Sequence, residues 1–216
     1  MTWSSPIDYL MSVTLVFAII MLGARKLKTR VLLFTLQSLG LVLALIFIGL
    51  QHHSSQAIWV AACTLLGKCG IIPWVLMQVL QRVRMNKEVE TIYTLPTTML
   101  LGAGLILFAH YLTYLLFPQE GHLFSEVFSV GVSLVFIGLM IMMTFKKAFT
   151  QIVGLYVLDN GIFCLTLATV FEMPLMIEMG ILFELLLGVL VLGIFVYRIK
   201  QSFDTVNVDY LKELHD

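Results

Sequence analysis

Long apolar runs separated by short polar breaks are the dominant pattern of this chain. A run of about twenty apolar residues is long enough to cross the hydrocarbon core of a bilayer as a helix. Because lipid offers the backbone no hydrogen-bond partners, each run is predicted to be α-helical. The pattern predicts seven spans, at residues 8–24, 31–50, 57–80, 93–117, 124–145, 150–171 and 175–197. The predicted fold class is all-α, a polytopic membrane protein.

The composition agrees with a membrane location. Hydrophobic residues make up 60% of the chain, the mean hydropathy is +0.99 and the formal net charge is zero. Soluble domains are only about 45–50% apolar. We therefore expect a single transmembrane domain in contact with membrane lipid, with almost no soluble part. No basic patch is long enough to indicate a nucleic-acid partner.

Basic residues mark one side of the predicted bundle. Except for Lys68, they occur in the first, third and fifth loops and in the tail, and the other loops contain none. The first loop is predicted to hold four of them, Arg25, Lys26, Lys28 and Arg30. Because basic loops stay in the cytoplasm, we expect the N-terminus outside and the C-terminus inside. The expected location is the cytoplasmic (inner) membrane of a bacterium or archaeon.

Three ionisable residues are predicted near the middle of spans, Lys68 in the third, Asp159 in the sixth and Glu184 in the seventh. A charge at that depth costs about 2.5–3.5 kcal/mol on insertion scales. The two acids lie on consecutive, antiparallel spans, which favours a path for protons or sodium ions. Glu178 and Gln37 are further candidates for this path. Hydrogen bonds that only hold helices together are the alternative role for the acids.

The surroundings of Lys68 are unusual for a membrane span. Pro73 follows five residues later and cannot donate a hydrogen bond to the carbonyl of Cys69, so we expect a helix break. Three interpretations of the lysine are open. In the first, its side chain snorkels to the membrane surface. In the second, it is a neutral group in a proton path, and in the third it pairs with a carboxylate.

A weak internal repeat divides the chain into units. Spans one to three (1–92) and spans five to seven (118–200) have the same order and orientation, linked by span four (93–117) and followed by a cytoplasmic tail (201–216). In this alignment Gln37 corresponds to Asp159, and Lys68 to Glu184. Parallel repeats are common in membrane folds. Chance similarity between apolar helices is the alternative.

No catalytic apparatus is visible in the sequence. There is no phosphate-binding loop, no Gly-rich dinucleotide turn and no cysteine set for iron–sulfur or nickel. Cys63, Cys69 and Cys164 all lie in apolar runs and are predicted to be buried thiols. We expect no cofactor and no metal in this chain, and no enzymatic activity of its own.

The C-terminal part of the chain resembles two related families. Residues 154–162, with the sequence GLYVLDNGI, and the mid-span Glu184 resemble the three-helix K subunit of respiratory complex I and the matching C subunit of multisubunit cation/proton antiporters. In that family both positions carry acids, within a lateral chain of polar residues through the membrane arm. Here the first acid is Asp159 rather than the usual glutamate, which keeps the charge and shortens the side chain.

The whole chain resembles the E component of hydrogenase-4 and of related membrane-bound hydrogenase or formate hydrogenlyase complexes. The resemblance rests on the length, on Lys68 followed by Pro73, on the acid-Asn-Gly sequence at 159–161 and on an Asx-rich tail at 203–208. It implies a non-catalytic subunit beside antiporter-like and other membrane-arm subunits. It also implies a peripheral nickel–iron hydrogenase or other oxidoreductase arm as an indirect partner.

Two other functions remain open at this stage. The first is a mainly scaffolding role, as a subunit of a multisubunit cation/proton antiporter-like or other complex I-related transport complex. In that role the acids pair with a neighbour's lysines. A self-contained secondary transporter is disfavoured, because the chain is short and has few polar residues.

The one-sided basic loops predict the topology directly. A reporter fused after Lys200 should read cytoplasmic, and one inserted at Ser54 should read external. Paired phosphatase and fluorescent-protein fusions measure both sides. The opposite reading at either position would exclude the seven-span arrangement.

Overall fold

The computed structural model describes residues 6–51, 55–82, 93–119, 121–169 and 188. These residues form an all-helical, multi-pass membrane protein, with no β-strand in the described part of the chain. Six helical stretches among the described residues are long and apolar enough to cross a membrane. Apart from residue 188, the predicted seventh span, with Glu178 and Glu184, and the predicted cytoplasmic tail lie outside the described residues.

The helices begin and end close to the predicted spans. They are α1 (Pro6–Gly23), α2 (Leu27–Gln51), α3 (Ser55–Thr64), α4 (Ile72–Arg82), α5 (Leu95–Leu116), α6 (His122–Thr144) and α7 (Ala148–Thr169). A π-helical segment, Leu65–Ile71, joins α3 to α4 without a gap. These three pieces together form the third span, Ile58–Gln81.

Two antiparallel hairpins, α1–α2 and α6–α7, make up the centre of the described bundle. The third span packs along α2, and α5 packs against α6 and α1. α2 also contacts α7, so it lies between the third span and the second hairpin. α2 and α6 are the most buried spans, and α5 is the least buried. The arrangement places α2 in contact with both described helices that carry the candidate residues Lys68 and Asp159.

Glycines bring α6 and α7 into backbone contact. A Cβ added to Gly138 would lie 2.6 Å from the backbone nitrogen of Leu158. A Cβ added to Gly161 would lie 2.6 Å from the backbone nitrogen of Val135. Small residues allow this close approach in membranes, where dispersion contacts rather than the hydrophobic effect hold helices together. The contact fixes the part of α7 that carries the predicted site.

Two basic residues assigned to the first loop lie inside α2 instead. Lys28 and Arg30 are both in its first turns, and Arg30 is fully buried. The Arg30 Nε donates a hydrogen bond to the Ala24 carbonyl (3.0 Å) and an Nη atom donates to the Leu22 carbonyl (3.4 Å). The guanidinium carbon lies 3.7 Å from the centroid of the Phe145 ring.

This geometry explains why Arg30 is buried. The last carbonyls of a helix have no partner within the helix, and the forked guanidinium can satisfy two of them at once. Its flat face stacks on the aromatic ring at the α6–α7 connection. Arg30 therefore ties the α1–α2 turn to the α6–α7 turn. The prediction that it lies in the first loop is wrong.

The cysteines also differ from the prediction. Only Cys164 is fully buried, while Cys69 is half-buried and Cys63 is exposed. The buried neighbours of Cys63 are Val60, Ala61 and Thr64, so Cys63 faces away from the bundle. An apolar run indicates membrane depth but not which side of the helix faces the protein.

The glycine contact predicts a strong, position-specific effect of one methyl group. Gly161→Ala should lower the free energy of unfolding by about 1–3 kcal/mol, because the added carbon meets backbone rather than a flexible side chain. Gly104→Ala is the matched control, since a Cβ there meets nothing within 4 Å. Thermal unfolding in detergent measures both. Equal midpoints for the two variants would contradict the close helix contact.

Candidate functional site

Lys68 lies in the middle of the π-helical segment. The Ile72 N–H donates to the Gly67 carbonyl, five residues back rather than the four of an α-helix. Pro73 follows at once and has no N–H to donate. The helix break predicted at Pro73 is therefore a local change of pitch in a continuous helix. Segments of this kind are frequent at functional sites.

The Lys68 side chain forms a buried ion pair with Asp159. The Nζ of Lys68 lies 2.7 Å from Oδ2 of Asp159, and the two side chains are 1% and 5% exposed. The snorkelling interpretation of Lys68 is therefore wrong, because the cation is enclosed by protein. Pairing with a carboxylate, the third interpretation, is what the structure contains. Both residues lie near the middle of their spans.

An aromatic ring forms one wall of this site. Phe163 lies one turn after Asp159 on α7, and its ring centroid is 5.0 Å from Nζ of Lys68. The negative face of an aromatic ring attracts a cation at this distance. The helical periodicity of the sequence places Asp159 and Phe163 on one stripe of α7, and in the structure both face the lysine.

The pair is poor evidence for a purely structural role. Two charges removed from water lose a large hydration energy, which their mutual attraction often fails to repay. Well-packed apolar residues would hold the third span against α7 at lower cost. Ionisable residues inside membranes instead commonly belong to ion or proton paths. The pair is the natural centre of the candidate site.

A hydrogen bond between helices lies directly beside the pair. The Nδ2 of Asn160 donates to Oγ of Ser38 at 3.1 Å, and both residues are fully buried. Neither residue is among the predicted path residues, although both occur in the segments of the proposed repeat. The sequence signal that could have identified them is a polar residue at mid-span, whether that residue is charged or uncharged.

Gln37 is fully buried next to Ser38 on α2. Neither its Nε2 nor its Oε1 has a hydrogen-bond partner within the described residues. A buried amide without partners costs free energy, which is unusual at a position with no task. The described residues contain no hydrogen bond from Gln37 to Asp159 or Lys68, so its place in the path stays a prediction.

The two remaining candidate acids belong to the predicted seventh span. Glu178 and Glu184 lie outside the described residues, and the approach of Glu184 to Asp159 stays a prediction. Lys68, Asp159 and the Ser38–Asn160 contact are the parts of the site that the structure brings together.

Comparison with known proteins adds a similarity over nearly the full chain. Over 211 residues the chain is 24% identical to a protein of Mycobacterium tuberculosis (strain ATCC 25618 / H37Rv), named as uncharacterized protein Rv0085. The alignment covers 97% of this chain and 96% of that protein. No protein-family model matches the chain, and no solved structure matches it significantly. The similarity shows a protein of about the same length and assigns no activity.

The buried pair predicts a characteristic double-mutant cycle. Lys68→Met should lower the free energy of unfolding by roughly 3–5 kcal/mol, because it leaves the Asp159 carboxylate buried without a partner. Adding Asp159→Leu should restore stability to the wild-type level or above. Denaturation of the purified protein in detergent measures Lys68→Met, Asp159→Leu and the double variant against the wild type. A double variant no more stable than Lys68→Met would contradict the pair.

Proposed function

We propose that this chain is a non-catalytic membrane subunit of a redox-driven, complex I-related membrane-bound complex of the hydrogenase type. In this proposal its buried ionisable side chains form part of a lateral path for protons or sodium ions. The observation that carries the proposal is the enclosed Lys68–Asp159 pair near the middle of two candidate membrane spans. The resemblance of the surrounding segments to hydrogenase-4 component E and to the K subunit of complex I supports it.

The pair has the chemistry that such a path requires. An ammonium and a carboxylate in contact can pass one proton between them, leaving a neutral amine and a neutral acid. A proton arriving at Asp159 weakens its hold on Lys68, which couples proton uptake to a movement of the lysine. Each step uses only groups that this chain supplies.

The proposed topology extends the described bundle by one span. A seventh helix at 175–197 would bring the C-terminus to the cytoplasm, with the N-terminus outside, in agreement with the basic loops. It would also carry Glu184 at a depth similar to that of Asp159. Antiporter-like subunits are the proposed neighbours in the membrane arm, and a neighbouring gene for a large antiporter-like protein would support them.

Neutral variants test whether the pair belongs to an ion path. Asp159→Asn and Lys68→Met should leave the protein in the membrane but reduce proton translocation, by roughly 10-fold or more for a required relay group. Inverted membrane vesicles energised by the electron donor of the complex, with a pH-sensitive dye, measure translocation. Asp8→Asn is the control, because it removes a carboxylate near the beginning of α1 rather than at mid-span.

The combination with Glu184→Gln tests the series arrangement. Groups that act in one path are non-additive, so the Asp159→Asn/Glu184→Gln protein should be little worse than either single variant. Losses that simply add would contradict one shared path. If all variants translocate protons normally while Asp159→Asn has a lower free energy of unfolding, the pair only holds helices together. That result would support the scaffolding alternative.

A further inference from the structure

One turn of α2, from Thr35 to Ser38, contacts the sequence neighbours of both Lys68 and Asp159. The thiol of Cys69 lies 4.0 Å from the Thr35 carbonyl oxygen and donates to it. One turn further along α2, the Ser38 hydroxyl accepts the hydrogen bond from Asn160. Cys69 directly follows Lys68, and Asn160 directly follows Asp159. α2 therefore touches the neighbour of each member of the ion pair.

The Ser38 contact restrains the rotation of α7. Successive residues of an α-helix project about 100° apart, so Asn160 and Asp159 turn together as one rigid unit. The Oδ1 of Asn160 has no hydrogen-bond partner within the described residues, so in this part of the chain the amide is held by its bond to Ser38. A rotation of α7 that broke this bond would leave a buried amide unsatisfied. The same rotation would move the Asp159 carboxylate away from Lys68.

We propose that Ser38 is a positioning residue for the Lys68–Asp159 pair. Its hydroxyl holds Asn160, sets the rotation of α7 and thereby aims the Asp159 carboxylate at the lysine. The consequence for ion movement rests on the proposed function, whereas the geometric effect on Asp159 is independent of it. Ser38 does not itself carry an ion or a proton in this proposal.

The protonation and accessibility of Asp159 report this positioning. A hydrophobic carbodiimide adds to protonated carboxyl groups in apolar surroundings: the acid oxygen bonds to the central carbon, and the proton moves to a nitrogen. An ion-paired carboxylate has no proton to give and reacts slowly. Reaction of the full-length protein in its native membranes, followed by mass spectrometry of the peptide with Asp159, measures the rate. Lys68→Met is the positive control, because it removes the cation.

Ser38→Ala should raise the labelling rate of Asp159 about fivefold, the population shift expected from loss of one buried hydrogen bond. Ser38→Thr keeps a hydroxyl and should restore a rate near that of the wild type. Ser133→Ala is the matched control: its hydroxyl is equally buried but donates to the Ser129 carbonyl within α6. That variant should label at the wild-type rate.

A second variant keeps the test decisive. Asn160→Ala removes the donor instead of the acceptor and should give the same increase, and the Ser38→Ala/Asn160→Ala protein should match either single variant. Wild-type labelling in a folded Ser38→Ala or Asn160→Ala protein would overturn the positioning role, as would a failure of Ser38→Thr to restore the rate. Additive increases would also overturn it.

The two proposals fail in different ways. Faster labelling in Ser38→Ala with unchanged translocation would contradict the ion path but support the positioning of Asp159. Unchanged labelling of Asp159 in Ser38→Ala, together with reduced translocation in Asp159→Asn, would contradict the positioning role of Ser38 and support the ion path. The labelling assay needs no electron donor and no turnover, so its result does not depend on the activity of the complex.

Discussion

The buried ion pair between Lys68 and Asp159 is the interaction on which the rest of the described structure depends. In the hydrocarbon region there is no water to replace a lost partner, so each charge requires the other to be held in place. The pair joins two spans that are distant in the sequence. Any helix movement that separates them leaves two charges in a low-dielectric interior. The surrounding packing must therefore be rigid on the scale of one side chain.

Two features of the bundle supply that rigidity. Backbone contact at the glycines fixes α7 against α6. Contacts packed this closely leave no empty space into which a helix can shift. On the other side, α2 lies between α7 and the third span and contacts both through Ser38 and Thr35. The pair is thus held from two directions. The glycines set the distance between helices, and the polar contacts on α2 act on their rotation.

Two buried cations in the same chain are accommodated by different chemistry. Lys68 is a compact point charge and faces one carboxylate, with a ring at one side. Arg30 has a flat, delocalised charge and uses the free carbonyls at the end of α1 and the face of Phe145. A guanidinium can be satisfied by neutral partners because it spreads its charge over several donors. The Lys68 ammonium concentrates its charge on one group and is held by a carboxylate of opposite charge.

Much of the architecture follows from local sequence. Run length and hydropathy predict the six described spans, because crossing a bilayer requires a fixed length of apolar helix. Charge at mid-span marks Lys68 and Asp159 as candidates, and helical periodicity places Asp159 and Phe163 on one face of α7. These features depend only on neighbours along the chain. They could therefore be predicted before any helix was packed against another.

The partners of these residues were decided by tertiary structure. Asp159 lies against Lys68, and Asn160 against Ser38, because α2 lies between the third span and α7, an order that no local pattern contains. The charge pattern placed Arg30 in a loop, since it cannot distinguish a solvated cation from one that binds the end of a neighbouring helix. The proline predicted an interruption, but the surrounding packing determined that the helix continues through a π-helical turn. Which residues pair in space depends on which helices face each other. That order is set by the tertiary structure and not by any local pattern in the sequence.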